Sequence, residues 1–394
     1  MIGTGLLIAL GAFMAALVHA LIMEGWRTSI CAVRHEEIRS ADPGTLPSIS
    51  AIVPARDAAF TIGALLQDLY VQDLSRSNFE AIVVDDHSTD ATAAIVQRMM
   101  KSWPQLKLIQ LEAEQGKKAA ISAAAKKALH DLILITDADA RCGRSRLSTI
   151  AQYWERVKPD LLLMPVATIA GKNPIEQIQR IEQLALQAIT AGSASMDAPV
   201  LANGANMAFS RSTFFQLNGY ASDRFASGDD MFLLQRMKHA RKRIGHLLDP
   251  KVIVTVHAET SWKAALQQRL RWAGKMRAYR DLKMLVSSIA ALLLPWLLLA
   301  ASSSALEGIQ PGEGLMSTLL LLISACLLWL VPIVRLVQAM DRFFSAADPD
   351  PQAPGRSAAT ALLTIPALIA FMIYAPIIAI LSIFVRPIWK GRRI

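Results

Sequence analysis

Four stretches decide the fold: SISAIVPARD (48–57), FEAIVVDDHSTD (79–90), LKLIQLEA (106–113) and DLILITDADA (131–140). Each holds a short apolar run without the strict alternation of a half-exposed strand, and three of them end in charge. Between them lie TIGALLQDLYVQ (61–72), ATAAIVQRMMKSW (91–103) and the alanine-rich KKAAISAAAKKALH (117–130), which read as helices. Strands that are apolar on both faces and separated by helices predict an α/β fold around a mostly parallel sheet, covered on both sides. Ligands of such sheets bind beyond the carboxyl ends of the strands. The polar clusters PARD, VDDHSTD and TDADA fall at those ends, so one shared site is expected there.

Outside this segment the chain is too apolar for an ordinary soluble enzyme. Of its 394 residues 53% are hydrophobic and 19% charged, with positive mean hydropathy. Four apolar stretches lie towards the two ends: Ile2 to Met23, Leu285 to Ser304, Leu315 to Val337, and Ser357 to Val385, whose 29 residues carry no charge. Each can cross ~30 Å of hydrocarbon at about 1.5 Å per residue. The first lacks a basic leader and is followed by Arg27, Arg34 and Arg39, which predicts an uncleaved anchor with its N-terminus outside. Arg277, Arg280 and Lys283 mark the other end of the central segment. The connection from Ala305 to Gly314 has two glutamates and no Lys or Arg, as an external loop should. The central segment is therefore expected on the cytoplasmic face of the cell inner membrane. Pro366 and Pro376 permit the last run to break into a hairpin, returning the basic tail RPIWKGRRI to that face; a single tilted helix is the alternative. The expected division is an anchor (1–24), a catalytic domain (45–260), an interface helix (261–284), a membrane region (285–386) and a basic tail (387–394).

The net charge of +9 suits anionic lipid and cytoplasmic retention on such a chain. No arginine-rich tract with interleaved aromatics appears in a polar region, so nucleic acid is not expected as a partner. Cys31, Cys142 and Cys326 are scattered, without metal or disulfide spacing.

Within the central segment, Asp137 and Asp139 follow four apolar residues at i, i+2, on one side of a strand end. There they can share a divalent cation, Mg²⁺ or Mn²⁺, and a diphosphate; a solvated loop gives the same pattern. Asp85 and Asp86 can accept hydrogen bonds from a base or ribose, while Ser88 to Asp90 read as an N-cap for the next helix. Lys117 and Lys118 open a helix after Gly116, where they can hold phosphate or remain a solvated pair. In FASGDDMFLLQRM (225–237), capping accounts for one aspartate of Asp229 and Asp230, leaving the other as a candidate general base. WKAALQQRLRWAGKMRAYRDLK (262–283) has apolar and basic residues at helical spacing, the pattern of a helix lying in the membrane interface.

The order VPARD, VVDDHSTD, GKKAA, TDADA, NGANMAFSRSTF, GDDMFLL, QQRLRW resembles glycosyltransferase family 2 with its GT-A fold, over Ser48 to Trp272. More narrowly the chain resembles membrane-bound members that act on ceramide, carotenoids and hopanoids, related to the cellulose, chitin and hyaluronan synthases. The resemblance implies that Pro54, Arg56, Asp86 and Lys117 line a nucleoside pocket, and that Asp137 and Asp139 serve the diphosphate and metal. It makes Asp230 the catalytic base, preceded by Asp229. Gln268, Arg271 and Trp272 match the Q-x-x-R-W signature that closes over the diphosphate and acceptor. Asn203, Gly204 and Asn206 fall where the acceptor end is held. ARDAA departs from the common A-R-N-E-E and leaves Asp57 without a role, and His257 and Glu259 stand where relatives often show Glu and Pro.

The expected reaction is direct displacement with inversion: Asp230 deprotonates an acceptor hydroxyl, which attacks a nucleotide-sugar, UDP-sugar being the family's usual donor. A lipid-associated acceptor is expected, because the few spans lack the polar interiors a secretion channel needs. A processive polysaccharide synthase, transfer to polyprenyl phosphate, and a non-catalytic membrane-tethered nucleotide sensor are the competing readings. Neither the sugar nor a protein partner is written in the sequence.

Overall fold

Apolar runs of five to seven residues with no polar face need cover on both sides, and the chain supplies it by alternating strands with helices. The computed structural model describes residues 4–32, 46–113, 115–221, 228–276, 282–307, 315–346, 356–385, 388–389 and 392–393. Strands β1 (Ile49–Ala55), β2 (Phe79–Asp85), β3 (Leu106–Gln110) and β4 (Leu132–Thr136) coincide with the four decisive runs. They are followed by β5 (Arg141–Cys142), β6 (Leu161–Leu163), β7 (Val166–Ile169), β8 (Asn206–Ser210), β9 (Ile244–His246) and β10 (Val254–His257). A seven-stranded sheet has the order β3-β2-β1-β4-β8-β6-β9, and β5, β10 and β7 form a small second sheet.

The large sheet is mostly parallel, with one reversal. β8 runs antiparallel to both β4 and β6, pairing Asn206 with Thr136 and Ser210 with Leu132. The reversal carries the NGAN segment to the carboxyl end of β4, next to Asp137. Nothing in the apolar pattern of 206–210 distinguishes this direction, because a fully buried strand reads the same both ways.

Helices α1 (Thr4–Ala32), α2 (Ile62–Tyr70), α3 (Thr92–Met100), α4 (Lys117–Lys127), α5 (Arg146–Val157) and α6 (Pro174–Ser195) precede α7 (Arg211–Gln216), α8 (Asp229–His239) and α9 (Trp262–Met276). Leu65, Leu66, Leu69, Val96, Leu147 and Ile150 bury one face of the sheet, and Ala120, Ile121, Ala124, Met231 and Leu234 the other. Each such Leu or Ile contributes about 1.5–3 kcal/mol by leaving water.

The remaining helices are α10 (Leu282–Glu307), α11 (Leu315–Ala346) and α12 (Arg356–Phe384). Among the described residues three helical stretches are long and apolar enough to cross a membrane: Thr4–Ala32, Leu315–Ala346 and Thr360–Phe384. The other expected crossing, Leu285 to Ser304, lies within α10. The expected hairpin in the last run does not form: α12 is one continuous helix with Pro366 and Pro376 inside it. Its 29 residues extend about 43 Å at 1.5 Å per residue, enough to cross with tilt. Arg34, Arg39, Arg277, Arg280, Arg386 and Lys390, on which the expected orientation rests, lie outside the described residues.

The two halves meet on α6. Its Ile181, Leu184, Ala188 and Ala191 are buried with Ile30 of α1, Leu336, Val337 and Met340 of α11, and Ala367 of α12. Buried polar atoms reinforce this seam. Arg180 Nη1 lies 2.8 Å from Asp341 Oδ1, Arg180 Nη2 donates to Thr360 Oγ1, and Thr360 Oγ1 donates to Asp341 Oδ2.

Candidate active site

The ends of β1, β2 and β4 open into a cleft of about 580 Å³. Its floor is built by two loops that hold each other. Asp57, at φ 44°, accepts hydrogen bonds from Thr89 N and Oγ1 at 2.8 and 3.2 Å, while Asp57 N donates to Ser88 Oγ at 3.0 Å. Asp90 accepts from Ala59 N and Thr92 N. The N-cap position of α3 falls on Ala91, which has no side-chain acceptor, and the expected capping is supplied by Asp90 through its bond from Thr92 N. Ser88 to Asp90 fasten the β2–α3 turn to the β1–α2 turn, which also gives Asp57 its role.

Pro54, Arg56 and Asp86 line the cleft. Arg56 Nη1 donates to Asp86 O at 2.8 Å, and Asp86 Oδ2 accepts from Gly116 N at 3.1 Å. Gly116 takes φ 93°, a conformation that favours glycine, and so turns the chain into α4.

The two lysines after it part company. Lys117 enters the cleft, whereas Lys118 is buried with its ammonium 4.0 Å from the centre of the Phe232 ring. The reading of a solvated pair is thus corrected. Lys117 Nζ lies 2.7 Å from Asp137 Oδ1 and 3.1 Å from Asp229 Oδ2, and donates to Gly204 O at 3.2 Å. Burial works against this ammonium, but Asp137 and then Asp229 outweigh it and hold its pKa above the ordinary lysine value. Burial raises the pKa of Asp137, Lys117 opposes the rise, and the neighbouring charge of Asp139 adds to it.

Asp229 and Asp230 begin α8, and neither caps it: the N-cap is Gly228 in the left-handed region. Two carboxylates in a first helical turn are favoured by the helix dipole. Asp230 accepts from Met231 N at 2.8 Å and Gly204 N at 3.3 Å, and lines the cleft beside Asp229. A Cβ on Gly204 would come within 2.5 Å of Asp229 Oδ2 and 2.9 Å of Lys117 Nζ, so this position needs glycine to admit the cluster.

Asn203 and Gly204 line the cleft, but Asn206 does not. It is buried, donating from Nδ2 to Pro165 O and Val252 O at 2.8 Å each and accepting from Arg146 Nη2 at 2.8 Å. Arg146 also donates to Thr136 Oγ1 at 2.7 Å, next to Asp137. The expectation of acceptor contact at Asn206 is corrected: its side chain ties β8 to the strand end that carries Asp137.

The opposite wall comes from α6 and α9. Gln268, Arg271 and Trp272 are all present there, with Gln179, Gln183 and Arg269, which sequence reasoning missed. Arg269 pairs with Glu182 and stacks its guanidinium 5.0 Å from the Trp272 ring centre. Burial lowers the pKa of Arg271, and Asp137, Glu259, Asp229 and Asp230 counteract it; this cation faces the carboxylate cluster. His257, Glu259 and a fully exposed Phe60 complete the lining. The i, i+4 spacing of Gln179 and Gln183 on an amphipathic helix is the signal that could have found these two glutamines.

Seven carboxylates (Asp57, Asp86, Asp137, Asp139, Asp229, Asp230, Glu259) and four cations (Arg56, Lys117, Arg269, Arg271) line the cleft. A diphosphate entering this excess of negative charge needs a further cation beside it. Asp137 and Asp139 offer hard oxygen ligands suited to Mg²⁺ or Mn²⁺. Among the described residues no cluster of three or more His, Cys, Asp or Glu side chains is poised to hold a metal. The two carboxylates at Asp137 and Asp139 fit a divalent cation that a phosphate ligand would help to hold.

Residues 50–213 match the model of glycosyl transferase family 2, and residues 132–344 that of glycosyl transferase family group 2. The beta-monoglucosyldiacylglycerol synthase of Synechocystis sp. is 25% identical over 247 residues, which cover 60% of this chain and 49% of that protein. The poly(ribitol-phosphate) beta-N-acetylglucosaminyltransferase TarS of Staphylococcus aureus is 32% identical over 125 residues, 32% of this chain and 22% of that one. The chain thus spans about half the length of the first of these curated relatives, and less of the second. Among solved structures, a mannosyltransferase from Pyrobaculum calidifontis, in complex with GDP-Man and Mn²⁺, aligns with a TM-score of 0.54 at 21% identity. That alignment covers 94% of this chain and 99% of the other, and shows a shared fold of the GT-A type.

Proposed function

This chain belongs to glycosyl transferase family group 2, and on that premise we propose that it moves a sugar from a nucleotide-sugar, a UDP-sugar first among donors, to a hydroxyl of a membrane lipid. The observation that carries the lipid acceptor is the double use of α6 and α9. Gln179, Gln183, Gln268 and Trp272 face the cleft, while the same α6 packs on α1, α11 and α12. An acceptor approaching from that side comes along apolar helices that suit a membrane. The name of the Synechocystis relative, a glucosyldiacylglycerol synthase, agrees with a lipid acceptor. The catalytic half is assigned to the cytoplasmic face of the inner membrane, where nucleotide-sugars are available.

In this reading Pro54, Arg56 and Asp86 hold the nucleoside, and Lys117 and Arg271 meet the diphosphate. Asp137 and Asp139 would hold Mg²⁺ or Mn²⁺, Asp139 as the more direct ligand, and the cation would supply charge to offset that building on the departing nucleoside diphosphate. Asp230 accepts the proton of the acceptor hydroxyl as that oxygen attacks the anomeric carbon and the bond to the diphosphate breaks. Backbone N–H bonds from Met231 and Gly204 hold its carboxylate in place. One base and a single displacement give inversion, so an α-linked donor yields a β-linked product. Trp272, braced by Arg269, helps keep water from the sugar.

The test is transfer by the detergent-purified chain from a panel of labelled UDP- and GDP-sugars, with Mn²⁺ and total lipid extract, beside Asp230→Asn. A labelled glycolipid with inverted linkage, absent with the variant, is expected. A long water-soluble product, or nucleotide binding with no transfer to any lipid, would overturn the reading.

A further inference from the structure

The geometry around Lys117 carries one step more. Its ammonium touches oxygens from three separate elements: Asp137 at the end of β4, Asp229 at the start of α8, and Gly204 before β8. The absence of a side chain at Gly204 leaves the space it occupies. With no donor bound, this single charge stands between the two acidic groups that the proposed reaction must use separately. Asp137 belongs to the metal pair, and Asp229 adjoins the proposed base. The cleft already holds three more carboxylates than cations, so pulling Lys117 away weakens the compensation of Asp137 beside Asp139 and of Asp229 beside Asp230, although Arg271 still faces them. A four-carbon stem can swing, and an ammonium has no fixed geometry to lose when it exchanges a carboxylate for a phosphate.

We propose that Lys117 is a displaceable internal cation, holding the place beside Asp137 until a nucleoside diphosphate draws it away and opens that carboxylate to a divalent metal. The inference rests on the reading of Asp137 and Asp139 as the metal pair. Its consequence is ordered loading: metal binds weakly to the nucleotide-free protein and tightly once a diphosphate has engaged Lys117. The same exchange releases Asp229 only when donor is present, so the acceptor side is assembled last and wasteful hydrolysis is limited.

The experiment measures Mn²⁺ binding to the full-length protein in detergent by the loss of the free-ion electron paramagnetic resonance signal, with and without UDP. In the wild type, UDP should tighten Mn²⁺ binding about tenfold or more, within the usual range of coupling between sites. Lys117→Met should tighten UDP-free Mn²⁺ binding by about tenfold and remove most of that coupling. Lys117→Arg, which keeps the charge, should bind UDP-free Mn²⁺ within about threefold of the wild type and guards against a misfolded methionine variant. UDP-free Mn²⁺ affinity that is unchanged or lower in Lys117→Met would overturn the proposal, leaving Lys117 as a phosphate ligand alone. Lys117→Arg binding as tightly as Lys117→Met would overturn it too. Failure of all three proteins to bind Mn²⁺ even with UDP would instead remove the metal pair, and the inference with it.

Discussion

Changing Asp341 to asparagine tests how the catalytic half is held to its membrane helices. Asp341 is 3% exposed and closes a triangle with Arg180 and Thr360 that joins α11, α6 and α12. Asparagine keeps the shape and one acceptor but removes the counter-ion from a guanidinium that stays charged. Breaking a fully buried pair costs about 3–5 kcal/mol. Here the Arg180 side chain retains 21% exposure, and solvent screens part of the effect, so about 2–3 kcal/mol is expected. The double variant Arg180→Met with Asp341→Leu replaces the pair by apolar groups and should return to within about 1 kcal/mol of the wild type. The assay is a double-mutant cycle of Arg180→Met, Asp341→Leu and their combination by denaturant unfolding in detergent, followed through tryptophan fluorescence. Asp341→Asn is unfolded beside them, with lipid transfer and donor hydrolysis measured in parallel. Transfer should fall further than hydrolysis in Asp341→Asn, since Gln179 and Gln183 reach the cleft from the disturbed helix. A coupling energy below about 0.5 kcal/mol, the size found for exposed pairs, would refute the reasoning.

Three further outcomes are expected. In Gly192→Ala a Cβ would lie 2.4 Å from Trp26 Cβ and 3.0 Å from its Cα, so α1 must back away from α6; a loss of about 1–3 kcal/mol in the same unfolding assay is expected. Asn206→Ala should cost about 1–3 kcal/mol by leaving two buried carbonyls and Arg146 short of a partner, while the acceptor KM measured in detergent stays unchanged. Burial pushes the His246 imidazole pKa down to about 4 from the ordinary 6.5. Its contribution to stability is therefore complete above pH 6.5 and is lost as pH falls towards 4, because only the unfolded chain takes up the proton freely. His246→Gln should flatten that limb of a melting-temperature profile.

The strand ends were legible because charge interrupts apolar runs there, and D-x-D in the turn directly after β4 needs no tertiary knowledge to be seen. Lys117 was legible from its place at a helix start, whereas Gln268, Arg271 and Trp272 were implied only by the family resemblance of QQRLRW. Asn206 was misread because asparagine in a polar-looking NGAN segment gives no hint of the Arg146 guanidinium and two carbonyls waiting in the core. The direction of β8 was equally hidden, since antiparallel pairing with β4 depends on where the chain returns from and not on residues 206–210 themselves. The hairpin expected in the last apolar run treated proline as a breaker. Pro366 and Pro376 instead sit within a helix whose neighbours α11 and α6 pack beside it.

The wall made by α6 shows why such sites resist reading from motifs. The reaction proposed above brings together two ligands of opposite character: a charged, water-borne nucleotide-sugar and an apolar acceptor anchored in a membrane. The donor side is marked in sequence because it must concentrate ionic groups. On that proposal the acceptor side needs only to be close to the bilayer and to present a few neutral hydrogen-bonding groups, a role that glutamines on an ordinary amphipathic helix would fill. Gln179 shows the arrangement in one residue, exchanging hydrogen bonds with the backbone of Glu259 while its helix buries Ile181 and Leu184 against α11 and α12. The contact that lines the cleft and the contact that docks the membrane helices are thus parts of one rigid element. A shift of α1, α11 or α12 must move that wall against fixed carboxylates. In the proposed reaction, membrane docking is then a condition for correct acceptor placement as well as a means of localisation.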